Sequence, residues 1–149
     1  MSDAQSASPA NRYSTDELLE IFQMLGSWEE RYRFIIDLGH QLPPLSEDEH
    51  NDQTRVDGCM SQVWLTTDVG EGSDPVLHFR GDSDAHIVKG LIGVLFTAFS
   101  GRRASEILAT DVEGLFDQLG LGQHISMNRR NGFYAMVQRI KQQAALHRA

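Results

Sequence analysis

The chain has one cysteine, Cys59, among its 149 residues. A single thiol excludes an internal disulfide, a CxxC redox pair, a four-cysteine zinc site and a cluster scaffold built from several thiolates of one chain. Long apolar runs are also missing. The longest candidate, Ile87 to Phe99, falls short of the ~20 residues a membrane helix needs, and Lys89 interrupts it. Residues Met1 to Arg12 are polar and rich in alanine and serine, with no apolar h-region. No secretory leader is expected, then, and the cytoplasm is the expected compartment. The six histidines include no HExxH and no pair four residues apart, so each reads as a surface or satisfied histidine rather than a metal ligand. Neither a G-x-S-x-G elbow nor a glycine-rich phosphate fingerprint is present.

What charge there is lies unevenly. The chain carries a formal net charge of −8, and Ser46 to Asp84 alone holds ten acids against two bases, Arg55 and Arg80. Ile125 to Ala149 holds five bases and no acid. An acidic protein lacks the basic face that phosphate contacts require, so nucleic acid is not expected as a partner. The basic C-terminal stretch reads as a solvated helix face, or as one that meets an acidic surface, the chain's own middle third included.

The hydrophobic content of 40% suffices for one core, and the length suits one domain, taken as residues 14–149 after a flexible tail at 1–13. Ser14-Thr-Asp-Glu17 is a capping-box pattern opening a short helix that Gly26 ends. Ser27-Trp-Glu-Glu30 repeats it, and Pro43-Pro44 stops the helix that follows. Ser46 to Asp57 is a polar loop. Ser61 to Val69, rich in Val, Trp, Leu and Thr, predicts a strand. A turn at Gly70 to Pro75 and alternation over Val76 to Arg80 predict a hairpin, with Arg55 to Asp57 as a third, edge strand. Asp82-Ser83-Asp84 offers N-cap oxygens for a central, nearly all-apolar helix to about Ser100. Thr110-Asp-Val-Glu113 caps another short helix, and a final helix from about Asn128 turns Phe133, Met136, Val137 and Ile140 inward. Helices, a small antiparallel sheet and more helices make an α+β domain.

For chemistry, Cys59 leads. A lone cysteine is often a small buried hydrophobe; here Gly58 precedes it and a charged loop leads in, which suits a displayed thiol. A free thiol of ordinary pKa is only about 3% thiolate at pH 7. Glu49, Asp52 and Asp57 would lower that fraction, with Arg55 as the local counterweight. Such a thiol suits a reaction in which a partner supplies the activation. Lys89, inside an apolar helix, is expected to snorkel or to pair with Asp82 or Asp84.

Val56-Asp-Gly-Cys-Met-Ser-Gln-Val-Trp64 resembles the signature of the SufE/CsdE family of sulfur-acceptor proteins, loosely V/I-x-G-C-x-S-x-V-W. Trp28-Glu-Glu-Arg-Tyr32 through Leu42-Pro43, Gly81-Asp-Ser-Asp-Ala85 with Ile87-Val-Lys-Gly-Leu91, and Gln123-His124 with Ser126, Arg129 and Gly132 resemble three further family blocks, in order. Met60 and Met127 depart from it, standing where a polar residue and proline are common.

The resemblance implies a fold related to the IscU-type scaffolds and a carrier of sulfane sulfur. Cys59 would take a persulfide sulfur from a PLP-dependent cysteine desulfurase of the SufS or CsdA kind, stimulate that enzyme, and pass the sulfur to an iron–sulfur scaffold complex. It also implies that the loop hides the sulfur in a shallow apolar pocket. PLP would belong to the desulfurase, leaving this chain with no cofactor or metal of its own and no autonomous turnover. Arg55, Asp57, Gly58, Ser61, Asp82, Asp84, His124 and Arg129 would serve docking or support. The family includes monomers and homodimers, and no membrane or nucleic-acid role is implied. An independent Cys/His thiol enzyme and an inert structural adaptor are the alternatives.

Overall fold

The computed structural model describes residues 13–58 and 61–148. Among them it shows the expected α+β architecture, seven α-helices and a three-stranded antiparallel sheet. None of these helices is long and apolar enough to cross a membrane. Local signals start the first two helices. At α1 (Thr15–Met24) the Ser14 hydroxyl accepts from the Glu17 amide at 3.1 Å while the Glu17 carboxylate accepts from the Ser14 amide at 2.9 Å. At α2 (Trp28–His40) Ser27 accepts from the Glu30 amide. Arg31 then donates to the carbonyls of Phe22 and Leu25, satisfying the open end of α1. Tyr13, the last residue of the predicted tail, packs its ring against Phe34, and residues 1–12 lie outside the described residues.

Strands β1 (Val63–Val69) and β2 (Val76–Ser83) form the predicted hairpin, in register from Val63 opposite Ser83 to Val69 opposite Leu77. Val63, Leu65, Leu77, Phe79 and Gly81 face inward, while Trp64, Thr66, Asp68, Arg80 and Asp82 share the other face. The third strand is not at Arg55–Asp57. That segment makes one isolated bridge, Arg55 to Trp64, because the chain turns away at Gly58, whose φ is +93°. Instead β3 (Arg102–Arg103) pairs with β2, after Gly101 reverses the chain and donates its N–H to the Leu77 carbonyl.

Helix α3 (His86–Phe99) is the centre of the fold, with eleven of its residues buried. It is not capped by Asp82, Ser83 or Asp84: its N-cap is Ala85, with no side-chain bond. The three polar side chains have other partners, described below. Four more helices follow: α4 (Ala104–Ala109), α5 (Val112–Gln118), α6 (Leu121–His124) and α7 (Met127–His147). Asp111 caps α5 and Ser126 caps α7. The inward set Phe133, Met136, Val137 and Ile140 is buried as expected. The sequence pattern did not reveal α4 or the single turn of α6.

Packing of α3 on α2 leaves no room for a side chain at Gly90 or at Gly39. A Cβ on Gly90 would lie 2.3 Å from the Ile35 carbonyl oxygen, and one on Gly39 would lie 2.6 Å from the Gly90 nitrogen. On the sheet side, a Cβ on Gly81 would meet Leu65 at 2.7 Å and Ile92 and Phe96 at 3.1 Å. The obstacle at Gly90 is backbone, which a rotamer change cannot move. Gly90→Ala is therefore expected to lower unfolding stability by about 1–3 kcal/mol in urea titration. A loss under about 0.5 kcal/mol would mean that the two helices part without cost.

Candidate functional site

The segment leading into Cys59 is an acidic arm pinned to the outer face of the sheet. Ser46 opens a 3-10 turn, Glu47–Glu49, with its own capping box. Glu49 then reaches β2, where Arg80 grips it with two bonds of 2.6 and 3.0 Å and holds Asp68 at 3.3 Å with its Nε. That bidentate guanidinium pulls the Glu49 carboxyl down to about 2. Next along the arm, His50 Nε2 meets Asp82 Oδ2 at 2.8 Å and Nδ1 meets the Ser46 carbonyl at 2.7 Å, the ring standing edge-on against Trp64. Asp82 in turn holds Lys89 at 3.3 Å and accepts from the Ser83 amide. Lys89 thus pairs with Asp82, one of the two expected acids.

Both ring nitrogens of His50 face oxygen acceptors, and only the imidazolium donates to both. The Asp82 carboxylate raises the His50 pKa for that reason, with Ser46 helping. Burial pushes the Asp82 carboxyl upward, but bonds from His50, the Ser83 amide and Lys89 leave it below its ordinary value.

Past His50 the chain turns at Asn51–Thr54, where the Arg55 amide donates to the Asn51 carbonyl at 3.0 Å, and then meets β1. The Leu65 amide donates to the Thr54 carbonyl and the Val56 amide to the Val63 carbonyl, each at 2.8 Å. Arg139 of α7 donates to the carbonyls of Gln53 and Arg55, the latter at 3.1 Å. Val56 is buried, Asp57 and Gly58 are exposed, and Gly58 lies over Ala135 of α7, where a Cβ would approach that methyl to 3.3 Å. A cleft of about 250 Å³ opens here, lined by Val56, Asp57, Ala135, Gln138, Arg139 and Gln142. The apolar pocket that the resemblance implies for the Cys59 sulfur falls on residues outside those described.

Cys59 and Met60 lie outside the described residues. On their far side Ser61 is half-buried, and Gln62 is fastened by its backbone. Its N–H donates to Asp84 Oδ1 at 3.0 Å, while its carbonyl accepts from the Ser83 hydroxyl at 2.8 Å. The structure therefore brings Arg55, Asp57, Gly58, Ser61, Asp82 and Asp84 to one end of the sheet. His124 and Arg129 are placed elsewhere. His124 stacks on Trp28 at 3.8 Å, and Arg129 is exposed on the first turn of α7, about 9 Å of helical rise before Ala135. Among the described residues, no group of three or more His, Cys, Asp or Glu side chains is arranged to hold a metal ion.

Sequence reasoning missed His50, the Glu49–Arg80 grip and Arg139. The partners lie 31 to 86 residues apart along the chain, beyond any local pattern. Most of the C-terminal cations likewise serve backbone carbonyls. Besides Arg139, Arg130 caps Gly122 and Lys141 caps Thr110.

The class of protein is thus a small α+β domain in which a charged arm leads into the sole thiol at one end of a three-stranded sheet. A hypothetical protein from Thermus thermophilus, solved in solution, has the same fold: TM-score 0.71, 22% identity, 89% of this chain and 94% of that one covered. Residues 16–144 match the family model "SufE: Fe-S metabolism associated domain", and the chain belongs to the SufE family. An uncharacterized SufE-like protein of Rhizobium meliloti (strain 1021) is 46% identical over 132 residues, covering 88% of this chain and 94% of its own length. Another from Rhizobium etli is 43% identical over 137 residues, covering 91% and 93%. Proteins of this family work with cysteine desulfurases in Fe–S metabolism, and the role of this chain is one of sulfur transfer.

The His50–Asp82 tether has a predictable pH window. With the His50 pKa raised, its contribution is fully present below the ordinary histidine value of about 6.5 and is lost as pH rises through the folded value. With the Asp82 pKa lowered, that contribution is present above the ordinary carboxylate value of about 3.9 and is lost only as pH falls through the folded value. Urea titration of wild type and His50→Gln should differ by about 0.5–1 kcal/mol near pH 5.5 and by less near pH 8.5. A gap that widens as pH rises would contradict this assignment.

Proposed function

We propose that this chain is a sulfur acceptor whose Cys59 carries a transient persulfide taken from a PLP-dependent cysteine desulfurase. The Cys59 thiolate attacks the outer sulfur of the donor's persulfide. A new S–S bond forms on Cys59, the bond between the two donor sulfurs breaks, and the donor cysteine leaves as a thiolate. No oxidant is needed, because the sulfane sulfur keeps its oxidation level and moves from one thiol to the other. A second exchange delivers it to an iron–sulfur scaffold.

The observation that carries this reading is the position of the sole cysteine. In a chain of the SufE family, Cys59 directly follows an exposed, left-handed Gly58, between backbone segments tied down on both sides at Val56 and Gln62. An ordinary thiol beside Asp57 is mostly protonated, so rapid transfer needs a partner that brings a cation or a base. This supports a protein that stimulates the desulfurase and turns over nothing alone. The PLP resides in the desulfurase, and the proposed location is the cytoplasm.

Incubation with a desulfurase, PLP and cysteine should add the mass of one sulfur to the intact chain, and Cys59→Ser should abolish the addition while still binding the donor. A wild-type chain of unchanged mass after mixing with an active donor would overturn the proposal. Exposed Glu47, Asp48, Asp52 and Asp57 give the arm a negative face. If that face steers docking, raising salt from about 50 to about 500 mM should slow stimulation of the desulfurase several-fold. A rate indifferent to salt would remove the arm's charge from the docking step.

A further inference from the structure

Residues 53–56 lead from a turn at Asp52–Thr54 to the single bridge between Arg55 and β1. They are joined to β1 through the Thr54 carbonyl and the Val56 amide, and the Arg55 amide closes the turn on the Asn51 carbonyl. The carbonyls of Gln53 and Arg55 are left for another partner. Here the Arg139 guanidinium takes both, reaching out from the middle of α7. One turn earlier on the same helix face, Ala135 supports Gly58. The two helix positions hold both ends of the last six residues before Cys59.

We infer that Arg139 is a positioning residue for sulfur transfer: its guanidinium fork ties two carbonyls of the arm to α7 and fixes the segment that enters Cys59. This rests on the acceptor reading given above. The fold has little need of this contact. The bonds lie at the surface, and water would satisfy the same two carbonyls if the guanidinium were absent. What water cannot supply is a link of set length between the arm and α7. Arginine suits the task because its planar fork presents parallel donors to two acceptors; a lysine ammonium is a point charge without that fork. The Glu49–Arg80 and His50–Asp82 ties act on the sheet side of the arm and further from Cys59, so they do not replace the link to α7.

The test is the reactivity of Cys59 well below the unfolding temperature, where a purely structural loss leaves it unchanged. Arg139→Gln should raise the rate of Cys59 alkylation by iodoacetamide about fivefold, the gain expected when a net hydrogen-bond restraint on local opening is lost. In sulfur transfer from a desulfurase, the same variant should raise the half-saturating concentration by a similar factor with the maximal rate little changed, because the partner orders the arm once bound. Arg139→Lys should fall between the two proteins in both measurements, and its circular dichroism should match wild type. An alkylation rate in Arg139→Gln within about twofold of wild type overturns the inference. Alkylation needs no desulfurase, so that result leaves the acceptor reading standing. A wild-type chain that takes no sulfur overturns the acceptor reading, and with it any role of Arg139 in transfer.

Discussion

The contact between α2 and α3 at Gly39 and Gly90 sets the geometry of everything else. Because no side chain separates the backbones there, the two helices have one depth of approach, fixed by the Ile35 carbonyl and the Gly90 amide. The opposite side of α3 receives the sheet, and again a glycine, Gly81, sets the distance by letting Ile92 and Phe96 press against β2. Glycine is poor in a helix interior, costing about 1 kcal/mol relative to alanine. Here that loss is offset by burial of α3 on nearly every side. A sheet held at fixed height over a fixed helix then offers a rigid outer face on which a loop can be mounted.

The loop mounted there has almost no apolar content of its own. Only Val56 of the segment from Ser46 to Gly58 is buried. Its position comes from charge pairs and shared carbonyls: Glu49 on Arg80, His50 on Asp82, and Arg139 on the backbone. Partly exposed ion pairs contribute little individually, about 0–1 kcal/mol. Several of them spaced along one arm define where it lies without making the arm part of the core. The arm is therefore ordered yet cheap to displace, which is the mechanical property that a segment handing cargo between proteins requires.

Features set by neighbours in the chain were legible in the sequence; those set by distant partners were not. The Ser14 and Ser27 caps, the hairpin at Gly70 to Pro75 and the inward stripe of the last helix all follow from residues a few positions apart, and each forms as read. The third strand was misplaced because pairing is non-local. Arg55–Asp57 has the composition of an edge strand, but Gly58 ends its ladder after one bridge, whereas Arg102–Arg103 shows no strand pattern and pairs by virtue of where Gly101 sends the chain. Asp82-Ser83-Asp84 looked like a cap because helix-capping residues and loop-anchoring residues are the same types. Only the fold shows that His50, Gln62 and Lys89 claim them. Of the candidate site, the signature around Cys59 was readable and its supports were mostly not.

Helix α7 closes the molecule in a temporal sense as well. Arg130, Arg139 and Lys141 each terminate a carbonyl from a different earlier segment, at Gly122, at Gln53 and Arg55, and at Thr110. Phe133, Met136 and Ile140 of the same helix complete the core. A chain emerging from the ribosome meets these needs only after the earlier segments have been made. Until α7 has left the exit tunnel, the nascent polypeptide has neither a sealed interior nor an anchored approach to its thiol, so a product cut before α7 would possess the cysteine without the scaffold that presents it.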